Sequence, residues 1–139
     1  MKKYSFVYNN KEYELGEDNC SYVINDEEHP VAGIEGPDII ELLCGQETVD
    51  FGIEYYDTPC QNCLAGKKEK SKYFKFLEYH FFIFTKEGRY VISNISKEYE
   101  DTSFNRLVKK GIVDNSYVAS VAVCVECGDY SIEIEQCDV

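Results

Sequence analysis

Residues 73–85 read YFKFLEYHFFIFT, and residues 86–88 continue KEG. Two readings compete for this stretch. As a helix, Tyr73, Leu77, His80 and Phe84 would share one face. As a strand, its dense Phe and Tyr content suits a pleated surface, where aromatic rings pack against cross-strand neighbours. The turn decides between them. Lys86-Glu87-Gly88 offers a hairpin reversal into Tyr90-Val91-Ile92-Ser93, a second run of β-forming residues, so 73–85 reads as a strand.

Outward from this hairpin the chain keeps the same grammar. Tyr117 to Cys124 and Tyr130 to Glu135 form a last hairpin, with Cys124-Val125-Glu126-Cys127-Gly128 at its tip. At the other end, Tyr4, Phe6 and Tyr8 alternate with smaller or polar residues. Asn9-Asn10 supplies a turn, and Tyr13 and Leu15 resume the alternation over 11–15. Residues 16–30 are acidic and turn-rich, with a short strand near Tyr22 to Ile24. Val49 to Tyr56 reads as a strand leading towards Cys60.

Two short helices are punctuated by their ends. Over 37–44, Pro37 suits the first helical position, and Asp38 and Glu41 suit the positive end of the dipole. Ile39, Ile40, Leu43 and Cys44 make one apolar face, and Gly45 is placed for a left-handed stop. Over 102–110, Asp101 or Thr102 can cap, Phe104, Leu107 and Val108 form the apolar face, and Gly111 offers the exit. There is no repeat, linker or domain boundary. The expectation is one α+β domain over residues 1–139, mainly antiparallel strands and hairpins with two short helices, clamped by a metal site.

The charge balance narrows the function. Fourteen basic against 26 acidic residues give a net charge of −12. A field of that sign repels phosphate backbones, so general nucleic-acid binding is not expected. The one basic run, Lys67, Lys68, Lys70, Lys72 and Lys75, reads as a solvated loop. No apolar stretch has the length of a membrane span, and the N-terminus lacks the apolar run of a secretory signal. A cytoplasmic, reducing compartment is the default. There, seven cysteines argue for metal ligands or thiols rather than a disulfide framework.

Four of those cysteines form two CxxC pairs, Cys60-Gln61-Asn62-Cys63 and Cys124-Val125-Glu126-Cys127. Two intervening residues let the chain turn so that both sulfurs face one point, each about 2.3 Å from a zinc ion. Two such turns supply a closed tetrahedral shell with no open position for a substrate. Gly128 directly after Cys127 helps the chain reverse at a knuckle whose amides point at thiolates.

The CVECG run on a hairpin tip resembles the second knuckle of zinc-ribbon and rubredoxin-like proteins. The likeness covers the two knuckles alone, about ten residues. It implies metal ligation by Cys60, Cys63, Cys124 and Cys127, and it implies no activity. Leu64 stands where a knuckle glycine is common, with Gly66 two residues later, and sixty residues separate the pairs. The metal would therefore clamp two distant segments of one domain. Structural zinc is expected ahead of iron, because nothing near the pairs suggests an electron-transfer surface.

Cys44 reads as core, whereas Cys20 and Cys137 lie in polar contexts. His29 reads as solvent-facing, His80 as structural, and Asp26-Glu27-Glu28 as a solvated turn without the spacing of a calcium loop. There is no nucleotide loop and no GxSxG turn. The function expected is a zinc-stabilised protein-interaction module. The alternatives are a thiol–disulfide or iron electron-transfer protein using a CxxC pair, and an enzyme whose site is assembled from separate loops.

Overall fold

Thirteen residues, Phe74–Lys86, form the strand on which every other part of the main sheet depends. The computed structural model describes residues 3–46, 49–57, 60 and 73–137. In chain order the elements are β1 (Tyr4–Tyr8), β2 (Lys11–Leu15), β3 (Cys20–Ile24), α1 (Gly36–Cys44), β4 (Gly52–Tyr56) and β5 (Phe74–Lys86). They continue with β6 (Arg89–Ser93), α2 (Phe104–Lys109), β7 (Asn115–Cys124) and β8 (Tyr130–Cys137). One edge of β5 pairs along its length with β7. Its other edge is shared, with β4 against Phe74–Glu78 and β6 against Ile83–Lys86.

The main sheet runs β3-β8-β7-β5-β4, with β6 also on β5, while β1 and β2 make a separate two-stranded sheet. Among the described strands the pairings are antiparallel except β3 with β8, which is parallel. The sheet is therefore mixed. Roughly a hundred residues join β3 to β8, so no tight turn dictates their direction.

Period-2 alternation sends one set of side chains to each face. The first face carries Leu77, Phe81 and Ile83 of β5, Ala119, Val121 and Val123 of β7, and Ile132 and Ile134 of β8. All are buried in one cluster with Ile39, Ile40 and Leu43 of α1 and Tyr13 and Leu15 of β2. Rings tie the small sheet to this core: Phe6 stacks on Phe51 at 4.3 Å, and Phe51 meets Tyr79 at 5.8 Å. Among the described residues, a helix covers the second face at one end. There Leu107 of α2 packs with Phe84 and Val113. At the other end Glu78, Ser120 and Glu133 line an open pocket.

The local expectations hold with small shifts. At the first turn Asn9 and Asn10 take φ of 51° and 65°, the left-handed pair that a two-residue hairpin wants. α2 is shorter than 102–110 because Ser103 caps it, its Oγ accepting from the Arg106 amide at 3.3 Å. Gly45 does not take the left-handed stop expected of it. With φ −77° it continues the right-handed turn, its amide reaching the Glu41 and Leu42 carbonyls.

Candidate metal centre

β7 ends at Cys124 and β8 begins at Tyr130, so the run between them must reverse within five residues. Gly128 makes this possible at φ +80°, a region that a side chain disfavours. Its amide donates to the Cys124 carbonyl at 3.0 Å, and the Cys124 amide donates to the Asp129 carbonyl at 2.9 Å.

The tip is also held from outside, by residues that sequence reasoning did not single out. Lys11 Nζ donates to the carbonyls of Val125 and Glu126 at 2.6 and 2.8 Å. Tyr13 donates its hydroxyl to the Val125 carbonyl at 3.1 Å, and Asn19 Nδ2 donates to the Gly128 carbonyl at 3.1 Å. No spacing rule could have paired these, since each partner lies over a hundred residues away.

Cys60 arrives at this tip from the far side of the sequence. Its Sγ lies 3.7 Å from Cys127 Sγ, and the ligand atoms of Cys60, Cys124 and Cys127 all lie within 4.8 Å of one another. A disulfide would bring sulfurs to ~2.05 Å. Two thiolates at tetrahedral angles around a shared zinc, each about 2.3 Å away, would stand ~3.8 Å apart. The observed spacing fits the second geometry. Cys60 and Cys124 are buried and Cys127 is exposed, so the group sits at the rim of the fold. The fourth expected ligand, Cys63, lies outside the described residues, as do Leu64, Gly66 and the lysines at 67, 68, 70 and 72.

Burial pushes the Cys127 thiol far above its ordinary range, and the neighbouring Cys124 and Cys60 push it further. A backbone hydrogen bond from Asp129 works in the other direction. Three sulfurs packed this closely cannot all ionise without a compensating cation, whereas a bound divalent metal deprotonates its thiols outright. The donor set is soft and sulfur-only, which suits zinc or iron rather than magnesium or calcium.

The other described cysteines stand apart. Cys44 is half-buried at the core's edge, its Sγ 3.5 Å from the Lys3 carbonyl. Cys20 and Cys137 are also half-buried. Asp26 organises its own turn, accepting from the amides of Glu28, His29 and Gln136; these bonds hold its carboxyl below the usual range.

His80, expected to be structural, lies on the open part of the second face. Its Nδ1 is 2.8 Å from Ser120 Oγ and its Nε2 is 3.2 Å from Glu78 Oε1. Tyr56 donates its hydroxyl to Glu78 Oε2. Sequence reading missed this group. Its one available signal was Glu78-x-His80, two polar residues two apart in an aromatic strand, which must share a face.

A family model described as "Protein of unknown function (DUF3785)" matches residues 4–139. No curated protein matches, and no solved structure matches.

Proposed function

The chain belongs to the DUF3785 family, and we propose that it is a structural-metal protein in which Cys60, Cys63, Cys124 and Cys127 hold one zinc ion. The single observation that carries this reading is the 3.7 Å approach of two sulfurs 67 residues apart in sequence. A thiol–disulfide role for either CxxC pair needs two sulfurs at one place. Convergence of three from both pairs favours a shared ion.

The zinc is a clamp rather than a reagent. Four thiolates leave no open coordination position, and structural zinc can supply an apparent ~10–16 kcal/mol, comparable with a whole domain's stability. Elemental analysis of the purified protein, with a thiol count before and after chelation, tests the site. About one zinc per chain, with four thiols unmasked by the chelator, is the expected result. A red protein with visible charge-transfer bands would replace zinc by iron, and a metal-free protein with a stable fold would end the reading.

With its ion in place the domain acts by binding a protein partner. Net charge −12 favours a basic surface. β3 ends the sheet with Tyr22, Val23 and Ile24 exposed, an apolar edge of the kind that accepts an added strand. Val23→Lys is expected to abolish a specific in-cell crosslink to such a partner while leaving metal content unchanged. A crosslinking pattern identical to wild type would count against the interaction role.

A further inference from the structure

Among the described residues, α2 covers one end of the second sheet face and no helix covers the other. There β3, β4, β5, β7 and β8 enclose a cavity of ≈ 170 Å³ whose lining includes Tyr22, Tyr56, Phe76, Glu78, Ser120 and Glu133. At ~30 Å³ per water this is about six water volumes, the bulk of a short alkylamine. Cys60 contributes to one wall, so the pocket adjoins the candidate metal centre.

The contact chain Ser120–His80–Glu78 has the outline of a nucleophile, a base and an orienting carboxylate. Its surroundings argue against acyl transfer. Ser120 lies within β7, paired on both sides with His80 and Glu133, so it sits in a regular ladder rather than on a sharp turn. An oxyanion forming there would stand beside the carboxylates of Glu78 and Glu133, which would oppose its charge.

The same arrangement suits a positive charge. The Glu78 side chain is only 10% exposed. One of its oxygens accepts from Tyr56 and the other lies 3.2 Å from His80 Nε2, which leaves acceptor capacity for a further donor. Electrostatically His80 favours the charged form of Glu78, and the carboxylates of Glu54 and Glu133 oppose it. Among the described residues no Lys or Arg lines the pocket. A desolvated carboxylate with like-charged neighbours wants a cation. The rings of Tyr22, Tyr56 and Phe76 supply apolar walls and π-faces for one.

We propose that this pocket is a binding site for a small organic cation, a primary alkylamine, gripped by Glu78 and Glu133 between the rings of Tyr22, Tyr56 and Phe76. The site is separate in kind from the metal clamp, although Cys60 belongs to the lining of one and to the sulfur cluster of the other.

The full chain with its metal content measured is titrated with n-butylamine, followed by calorimetry and by amide shifts at neutral pH. The uncharged 1-butanol and the anion butyrate serve as matched probes. Saturable butylammonium binding with Kd of ~1 mM or tighter is expected, as befits a ligand of about five non-hydrogen atoms. The shifts should centre on Glu78, Ser120 and Glu133, and the alcohol and the anion should bind at least tenfold more weakly. Glu78→Gln and Glu133→Gln should each weaken binding about tenfold or more with metal content unchanged, and Glu135→Gln, exposed on the same strand, should not. Equal binding of butanol, no saturable amine binding, or wild-type affinity in both pocket variants would overturn the proposal. Because metal content is read in every sample, loss of the clamp and loss of the pocket register separately.

Discussion

Glu78 is a carboxylate whose ionisation the fold opposes. Burial raises its pKa above the ordinary glutamate value; His80 pulls it back, and Glu54 and Glu133 raise it again. Tyr56 also faces it as a donor. In the unfolded chain the carboxyl loses its proton at the ordinary value, and in the native state only at higher pH. Across that interval the native state holds more protons, so stability falls as pH rises through it. Glu78→Gln removes the titration, and its urea midpoint is expected to fall less steeply than wild type as pH rises above the ordinary glutamate range. Overlapping profiles for the two proteins would show that Glu78 is not held up. At the knuckle, Tyr13→Phe deletes one donor to the Val125 carbonyl, but Lys11 still bonds that oxygen. The acceptor is not orphaned, so the cost should stay near ~1 kcal/mol with metal content unchanged. A loss of several kcal/mol in denaturant titration would mean that Tyr13 does more than steady the tip.

Turns explain why so many elements could be read from residue order. Asn9-Asn10, Lys86-Glu87-Gly88 and Gly111 each fall where the backbone needs positive φ: Asn9, Asn10, Glu87, Gly88 and Gly111 all adopt it. The strands between them alternate cleanly, as β7 shows with Tyr117, Ala119, Val121 and Val123 all turned to the core. Gly45 stays right-handed against expectation because a glycine after a helix permits a left-handed stop without requiring one. The two outer hairpin turns give opposite tests. Asn10 at φ 65° is a tolerated but imperfect occupant, so Asn10→Gly should raise stability by up to ~1 kcal/mol. Gly88 at φ +81° has nothing within 4 Å of an added Cβ. Gly88→Ala therefore meets no clash, and backbone strain alone should lower stability by ~1 kcal/mol. Urea midpoints that move in the same direction for both variants would contradict a left-handed geometry at one of these turns.

At the scale of the whole molecule, legibility follows the range of the interaction. CxxC spacing is local, so the candidate ligands could be named from sequence. The approach of Cys60 to Cys124 and Cys127 is not local, yet closing a long loop costs only slightly more than closing a short one, so it could be expected; Cys63 lies outside the described residues. The cation pocket had no such handle. It exists only because β5 and β7 pair in the register that sets His80 against Ser120, and because β8 then brings Glu133 alongside. The parallel β3–β8 pairing is likewise a product of packing. This division predicts how the molecule loosens when the ion leaves. The metal would tie the segment at Cys60 to the β7–β8 tip, and Lys11, Tyr13 and Asn19 tie that tip to the small sheet and the loop after it. The β5–β7–β8 centre is held by its own buried ladder and core. Chelation is therefore expected to lower the melting temperature and to speed hydrogen exchange first at the Cys124 and Gly128 amides. Exchange in the middle of β7, at Ala119 and Val121, should accelerate only through global unfolding. Cys127→Ser should reproduce both effects and lose its metal, while Cys44→Ala, remote from the triad, should keep it. If stripping the ion left exchange at Cys124 and Gly128 unchanged, the sulfurs would be neighbours without being a clamp.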